Sequence, residues 1–196
     1  MNHIRHNPQF PLILSAYTIN SHLGDYYKRA AYRFTKSMLK FDLPHIIYPL
    51  KGCDKWLANC ALKPTVILYA LQTFKQPILW IDIDGEALQM PKIFNDISAD
   101  LALYNQNRHW LSGTLYITPN LIEFVRQWKN MTTSTDPDEV TLLKLYNQTS
   151  PKPKLQILPA TYNTVVHSKT NLSDIVIGHY IRPDTAEARG VTAIDY

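Results

Sequence analysis

Asp82 and Asp84 close the apolar run ILWIDIDGEAL, Ile78 to Leu88, and Gly85 follows them at once. Three readings fit such a stretch. Both aspartates can hold a divalent metal that carries a nucleotide diphosphate. Alternatively, the first can attack a phosphate monoester while the second serves as acid and base. In the third reading the acids only hydrate a strand end or cap a turn. Side chains two apart on a strand share a face, so an extended chain would bring the two carboxylates together. Ionised carboxylates that close repel one another; a cation relieves the repulsion, and without one a proton tends to remain on the pair. An isolated D-x-D does not choose among these chemistries, so the surrounding elements must.

Those elements read as alternating strands and helices. Pro11 to Ala16 is a short apolar strand, and Gly24 to Lys40 a helix with Tyr26, Ala30, Phe34 and Met38 on one stripe. Pro44 ends that helix, and His45 to Tyr48 reads as a second strand. Pro64 to Phe74 reads as a proline-opened helix, and Ile78 to Ile83 as a third strand ending at the aspartates. Further on, Leu101 to Tyr104 and Thr114 to Ile117 read as strands, with helices over Pro119 to Lys129 and Asp138 to Tyr146. Leu155 to Leu158 and Ile175 to Ile177 read as late strands, and Met131 to Pro137 as a polar, mobile loop. This alternation predicts an α/β fold with a mainly parallel sheet covered on both faces. Such sheets bind ligands beyond the carboxyl ends of their strands, where Asp82 and Asp84 fall.

The bulk properties agree. A chain of 196 residues with 45% hydrophobic and 18% charged residues suits one globular domain over 1–196, with 1–10 and 184–196 as flexible tails. No apolar run approaches the roughly 18 residues of a membrane span, so no integral membrane association is expected. The apolar stretch near the N-terminus is too short for a signal-peptide core, which makes the cytoplasm the default location. Cys53 and Cys60 lack a second pair at zinc-site spacing and read as reduced thiols. The net charge of +4 permits anionic ligands without requiring nucleic acid. In Tyr26 to Lys40, basic residues interleave with aromatics. That pattern would suit a polyanion or a lipid head group, but it reads first as a solvated amphipathic helix whose lysine stems cover the sheet.

IDIDGEAL, Ile81 to Leu88, resembles the first motif of haloacid-dehalogenase-type phosphohydrolases, D-x-D-G-T/V, which would make Asp82 a nucleophile. In that family the motif ends the first strand of the domain, whereas two strand–helix units precede it here. Glu86 replaces the usual Thr or Val. The only adjacent late acids, Asp138 and Glu139, open a helix.

A second resemblance extends further. The mid-chain strand ending in D-x-D is similar to that of GT-A type, nucleotide-diphosphosugar-dependent glycosyltransferases. WLSGTLYITPN, Trp110 to Asn120, resembles the family's F-N-x-G strand, and DPDEVTLL, Asp136 to Leu143, its D-Q/D-E helix start. ILPATYN, Ile157 to Asn163, resembles L-P-x-x-Y/W-N, and DIVIGHYIRP, Asp174 to Pro183, the late strand that ends in a histidine. The order is the family's, from Pro11 to Pro183. The chain is short for the class, and it lacks the glycine that many relatives carry after the late histidine.

This resemblance implies a Rossmann-like GT-A fold and a metal-dependent transferase, with a UDP-sugar as the first candidate donor. The acceptor hydroxyl stays open among saccharide, protein and nucleic-acid base. Mn²⁺ or Mg²⁺ would bind Asp82, Asp84 and His179, with His167 as a rival imidazole; a mixed oxygen and imidazole set suits Mn²⁺ better. Ala16, Tyr17 and Thr18 would meet the nucleoside, and Lys63, Asp82, Ser112, Gly113 and Arg182 the remainder of the donor. Asp138 and Glu139 would stand near the sugar as base or as holders of its hydroxyls, and the late histidine leans toward retention of configuration. A protein on the same fold that binds a nucleotide or sugar without turnover is the alternative.

Overall fold

The computed structural model describes residues 10–19, 24–52 and 55–180. Nine strands and five helices follow in the order β1 (Leu12–Thr18), α1 (Gly24–Lys40), β2 (His45–Leu50), α2 (Trp56–Cys60), α3 (Lys63–Phe74), β3 (Ile78–Ile81), β4 (Gly85–Ala87), β5 (Leu101–Gln106), β6 (His109–Ile117), α4 (Ile122–Met131), α5 (Asp138–Gln148), β7 (Leu155–Ile157), β8 (Thr164–Val166) and β9 (Ile177–Tyr180) among those residues. Six strands form one sheet in the order β2-β1-β3-β6-β5-β7. All run parallel except β6, which pairs antiparallel with both neighbours. The expected mainly parallel α/β architecture is therefore present, with one reversed strand at its centre. That reversal follows from the tight turn at Asn107 and Arg108, both left-handed (φ 49° and 71°), which folds β5 directly back into β6.

Alternation along the strands builds two apolar layers. Leu12, Leu14, Ile78 and Trp80 face α3, α4 and α5, where Ile67, Leu71, Val125, Trp128 and Leu142 complete one core. Ile13, Leu79 and Ile81 face the other way, against Ala30, Phe34 and Met38 of α1 and against Phe94 and Tyr162. The predicted α1 stripe is thus buried, and Tyr26 at its head donates to the Tyr180 carbonyl at 3.2 Å.

Three expectations need correction. The third strand stops at Ile81, and Asp82 to Asp84 form a turn closed by Gly85 N–H donating to the Asp82 carbonyl at 2.7 Å. The same-face argument for the two aspartates therefore fails: they stand on a turn and take different partners. Next, Gly85 starts β4 in a second sheet of order β4-β9-β8, which the sequence reading did not foresee. Finally, the last strand lies over Ile177–Tyr180 rather than Ile175 to Ile177. The loop after α4 is braced: Thr132 Oγ1 donates to the Trp128 carbonyl at 2.8 Å and lies 3.1 Å from Thr141 Oγ1.

Candidate functional site

At the carboxyl ends of β1, β2 and β3 lies a cavity of about 310 Å³. Ala16, Tyr17, Thr18, Lys63, Asp82, Asp84, Ser112, Gly113, Asp138, Glu139 and His179 all line it. Arg182, the remaining predicted donor contact, lies outside the described residues, as does Cys53. His167 is not among the lining residues; its Nδ1 accepts from Lys169 N–H at 3.2 Å in a local turn. Of the two rival imidazoles, His179 is the one at the cavity.

Lys63 is the centre of the site. It opens α3, where the positive end of the helix dipole disfavours a cation. Four oxygens compensate. Its Nζ lies 3.0 Å from Asp138 Oδ2, 3.1 Å from Asp82 Oδ1 and 2.9 Å from Ser112 Oγ, and it reaches the Ser112 carbonyl at 3.2 Å. Ser112 Oγ in turn donates to Asp138 Oδ2 at 2.8 Å. Burial works against the ammonium, yet Asp138 and Asp82 outweigh it and carry the Lys63 pKa above the ordinary lysine value. Asp138 opens α5 and is buried there, its carbonyl accepting from Trp128 Nε1 at 2.9 Å. Its neighbour Glu139 has a pKa raised by burial and by the Asp138 charge.

The two aspartates of the turn have different partners. Asp82 Oδ1 accepts from Trp80 Nε1 at 2.6 Å besides facing Lys63. Its side chain keeps 38% exposure, but the protein around it strips enough water to raise its pKa against the pull of Lys63, with Asp84 pushing the same way. Asp84 faces His179 instead, Oδ1 to Nδ1 at 3.3 Å, and the other imidazole nitrogen lies 3.0 Å from Thr114 Oγ1.

Pairing between strands fixes this arrangement. Asp82 N–H donates to the Gly113 carbonyl at 2.8 Å, extending the β3–β6 ladder into the turn, and β4 pairs Gly85 with His179. Both glycines lie against the imidazole. A Cβ on Gly113 would meet His179 Cε1 and Asn163 Oδ1 at 3.0 Å each, and one on Gly85 would meet Ile81 Cγ2 at 2.5 Å and His179 Cε1 at 3.1 Å. Gly85 therefore both closes the turn after Asp84 and makes room for the histidine.

The predicted three-residue metal set is not assembled as a cage: no group of three His, Cys, Asp or Glu among the described residues converges as metal ligands. Asp84 and His179 face each other across the cavity wall, whereas Asp82 is occupied by Lys63 and Trp80. Such a partial set fits a cation that takes its other ligands from a bound diphosphate, the usual situation for nucleotide-borne metals.

The sequence reading missed Trp80, Thr114, Asn163, Asn59 and Trp56 as members of the site. Asn163 stood inside the quoted ILPATYN, and its Oδ1 accepts from Thr114 N–H at 2.8 Å. Trp80 stood inside the opening run, where its apolar ring concealed the indole N–H.

No protein-family model matches the sequence, and a search of curated proteins finds no relative. Solved structures do match in fold. One is a glycosyltransferase involved in the glycosylation of the major capsid of PBCV-1, with TM-score 0.65 and 13% identity over 87% of this chain and 92% of that one. The apo form of the glycosyltransferase GlyE from Streptococcus pneumoniae TIGR4 matches with TM-score 0.62 and 14% identity over 90% of this chain and 55% of that one. The bifunctional glycosyltransferase WbbM matches with TM-score 0.57 and 11% identity, over 91% of this chain but only 47% of WbbM. The chain thus spans nearly all of the first and about half of the other two, and what it shares with all three is the fold of a glycosyltransferase.

Proposed function

We propose that the chain transfers a sugar from a nucleotide-diphosphosugar to an acceptor hydroxyl. The observation that carries this reading is the cavity itself, where Asp84 with His179 and Lys63 with Asp82, Ser112 and Asp138 line one space on a glycosyltransferase fold. A divalent cation, Mn²⁺ before Mg²⁺, would be held by Asp84 and His179, with Asp82 beside them; when bound it supplies positive charge against the departing diphosphate.

The chain's own groups do the rest. Lys63 stays protonated throughout the neutral range and holds Asp82 and Asp138 at fixed positions in the cavity wall. Ala16, Tyr17 and Thr18 bound the end of the cavity that we assign to the nucleoside. Asp138, tied to Lys63 and Ser112, orients sugar hydroxyls rather than taking a proton. Glu139 beside it, its pKa raised by burial and by the Asp138 charge, is the second carboxylate that we place toward the sugar and acceptor hydroxyls. We read the transfer as retaining and the donor as a UDP-sugar. The phosphohydrolase reading is weaker, because Asp82 Oδ1 is already engaged by Trp80 and Lys63, which blunts it as a nucleophile.

Calorimetry with UDP, GDP and CDP, each with and without Mn²⁺, tests the proposal. Binding of one nucleotide that requires Mn²⁺ and disappears in Asp84→Ala is the expected result. Failure of all three to bind in the presence of Mn²⁺ would overturn it. Binding without any hydrolysis of the matching sugar nucleotide would favour the non-catalytic alternative.

A further inference from the structure

The net charge of the chain is concentrated on one helix. α1 carries five basic residues, Lys28, Arg29, Arg33, Lys36 and Lys40, against one acid, Asp25, a surplus equal to the +4 of the whole protein. The remainder of the chain is therefore electrically balanced. Only Arg33 turns inward, where its Nε lies 2.8 Å from Glu86 Oε1. The other four cations are exposed and recur at helical spacing along the outer face opposite Ala30, Phe34 and Met38.

Two large apolar side chains stand on that same outer face. Tyr32 is 71% exposed and Leu39 50%, flanked by Arg29 and Lys36 and by Lys36 and Lys40. A helix needs neither residue there for its own stability, since its core stripe is complete without them. Cations alone would suit any polyanion. A tyrosine and a leucine set among them suit a surface that is anionic outside and apolar a few ångströms below.

We infer that α1 docks this protein on an anionic lipid bilayer, with Lys28, Arg29, Lys36 and Lys40 on the head groups and Tyr32 and Leu39 in the interface. Docking of this kind is peripheral and reversible, and it is separate from the sugar-transfer reading: either can fail without the other. Attraction to the head groups falls off within a Debye length, so it weakens with salt.

Cosedimentation of the untagged full chain with phosphatidylcholine vesicles, with and without about a third phosphatidylserine, tests this at about 0.1 M salt. Binding is expected only to the anionic vesicles and is expected to fall at about 0.5 M salt. The quadruple variant Lys28→Gln/Arg29→Gln/Lys36→Gln/Lys40→Gln should bind them about tenfold more weakly or worse, with Tm and nucleotide binding unchanged. Tyr32→Ser/Leu39→Ser should weaken vesicle binding while leaving retention on heparin unaltered. Absence of wild-type binding to anionic vesicles would overturn the inference. So would tight heparin or DNA binding alongside vesicle binding indifferent to Tyr32 and Leu39, because the helix would then be a polyanion site.

Discussion

Lys63 shows how the site binds its own residues together before any ligand arrives. One buried ammonium neutralises Asp138 and part of the charge on Asp82, and Ser112 completes the hydrogen bonding. Removing one partner of such a buried pair leaves an uncompensated charge, so Lys63→Met should destabilise the fold by about 3 kcal/mol, a Tm drop of roughly 6–12 °C. Thermal unfolding measured alongside Lys63→Met/Asp138→Leu checks the cause, since the double variant should recover part of the loss. Nearby, burial pushes the Cys60 thiol up to about 12, with Lys63 only partly offsetting it. At pH 8 iodoacetamide should therefore alkylate Cys60 in a Cys53→Ser background about a hundredfold more slowly in the native protein than in urea. Equal rates in the two states would show that the thiol is not shielded. The residues of this site were legible because their types are rare in apolar runs: a lysine before Pro64, two acids after Trp80 and a histidine after a glycine. Which of them touch was not legible. The separate partners of Asp82 and Asp84 depend on where β3 stops, and an apolar Ile83, itself buried in the turn, masks that end.

At the scale of elements, the site is a junction between two sheets. The turn after β3 delivers Asp82 and Asp84, and β9 delivers His179 by pairing with β4. The β1, α1, β2, α3 and β3 elements were readable from long apolar runs and breakers such as Pro44 and Pro64. The second sheet was not, because β4 and β8 have only three residues each, too few for a period to register. The one-turn α2 escaped for a related reason: it buries none of its residues, so no apolar stripe marks it. Close packing at the junction makes a definite prediction. Gly113→Ala would press a methyl onto His179 and Asn163, both of them side chains of the site. Nucleotide affinity in Mn²⁺ should fall at least tenfold in this variant, with a Tm loss of a few degrees at most. Gly113→Ala with wild-type affinity would mean that the imidazole does not need its present place. His179→Ala provides the reference, since it should lose the Mn²⁺ dependence outright rather than shift it.

Across the whole molecule, the cavity gathers Asp82, Asp84, Asp138 and Glu139 around a single lysine and a histidine, while the surplus of positive charge lies on the far-reaching face of α1. The free protein therefore carries a cost that protons or a cation can relieve. Asp82 and Glu139 have pKa values raised chiefly by burial, and Glu86, beneath α1, is raised by burial against the pull of Arg33. For a group whose folded pKa exceeds its unfolded one, the folded state binds more protons between the two values, so stability falls as pH rises through that window. The window opens at the ordinary carboxylate range and extends upward, which predicts a higher Tm near pH 5 than near pH 7 for the protein in EDTA. A bound cation competes with those protons. Mn²⁺ with the matching nucleotide should accordingly raise Tm by more at pH 7 than at pH 5, and the pH dependence seen in EDTA should flatten. Thermal shift at both pH values, with EDTA or with Mn²⁺ and nucleotide, separates the contributions. Glu86→Gln should remove part of the EDTA slope without touching the ligand-dependent shift, because Glu86 lies outside the cavity. A Tm that rises from pH 5 to pH 7 in EDTA would mean that Lys63 already neutralises the cluster, and that the cavity has no standing need for a cation.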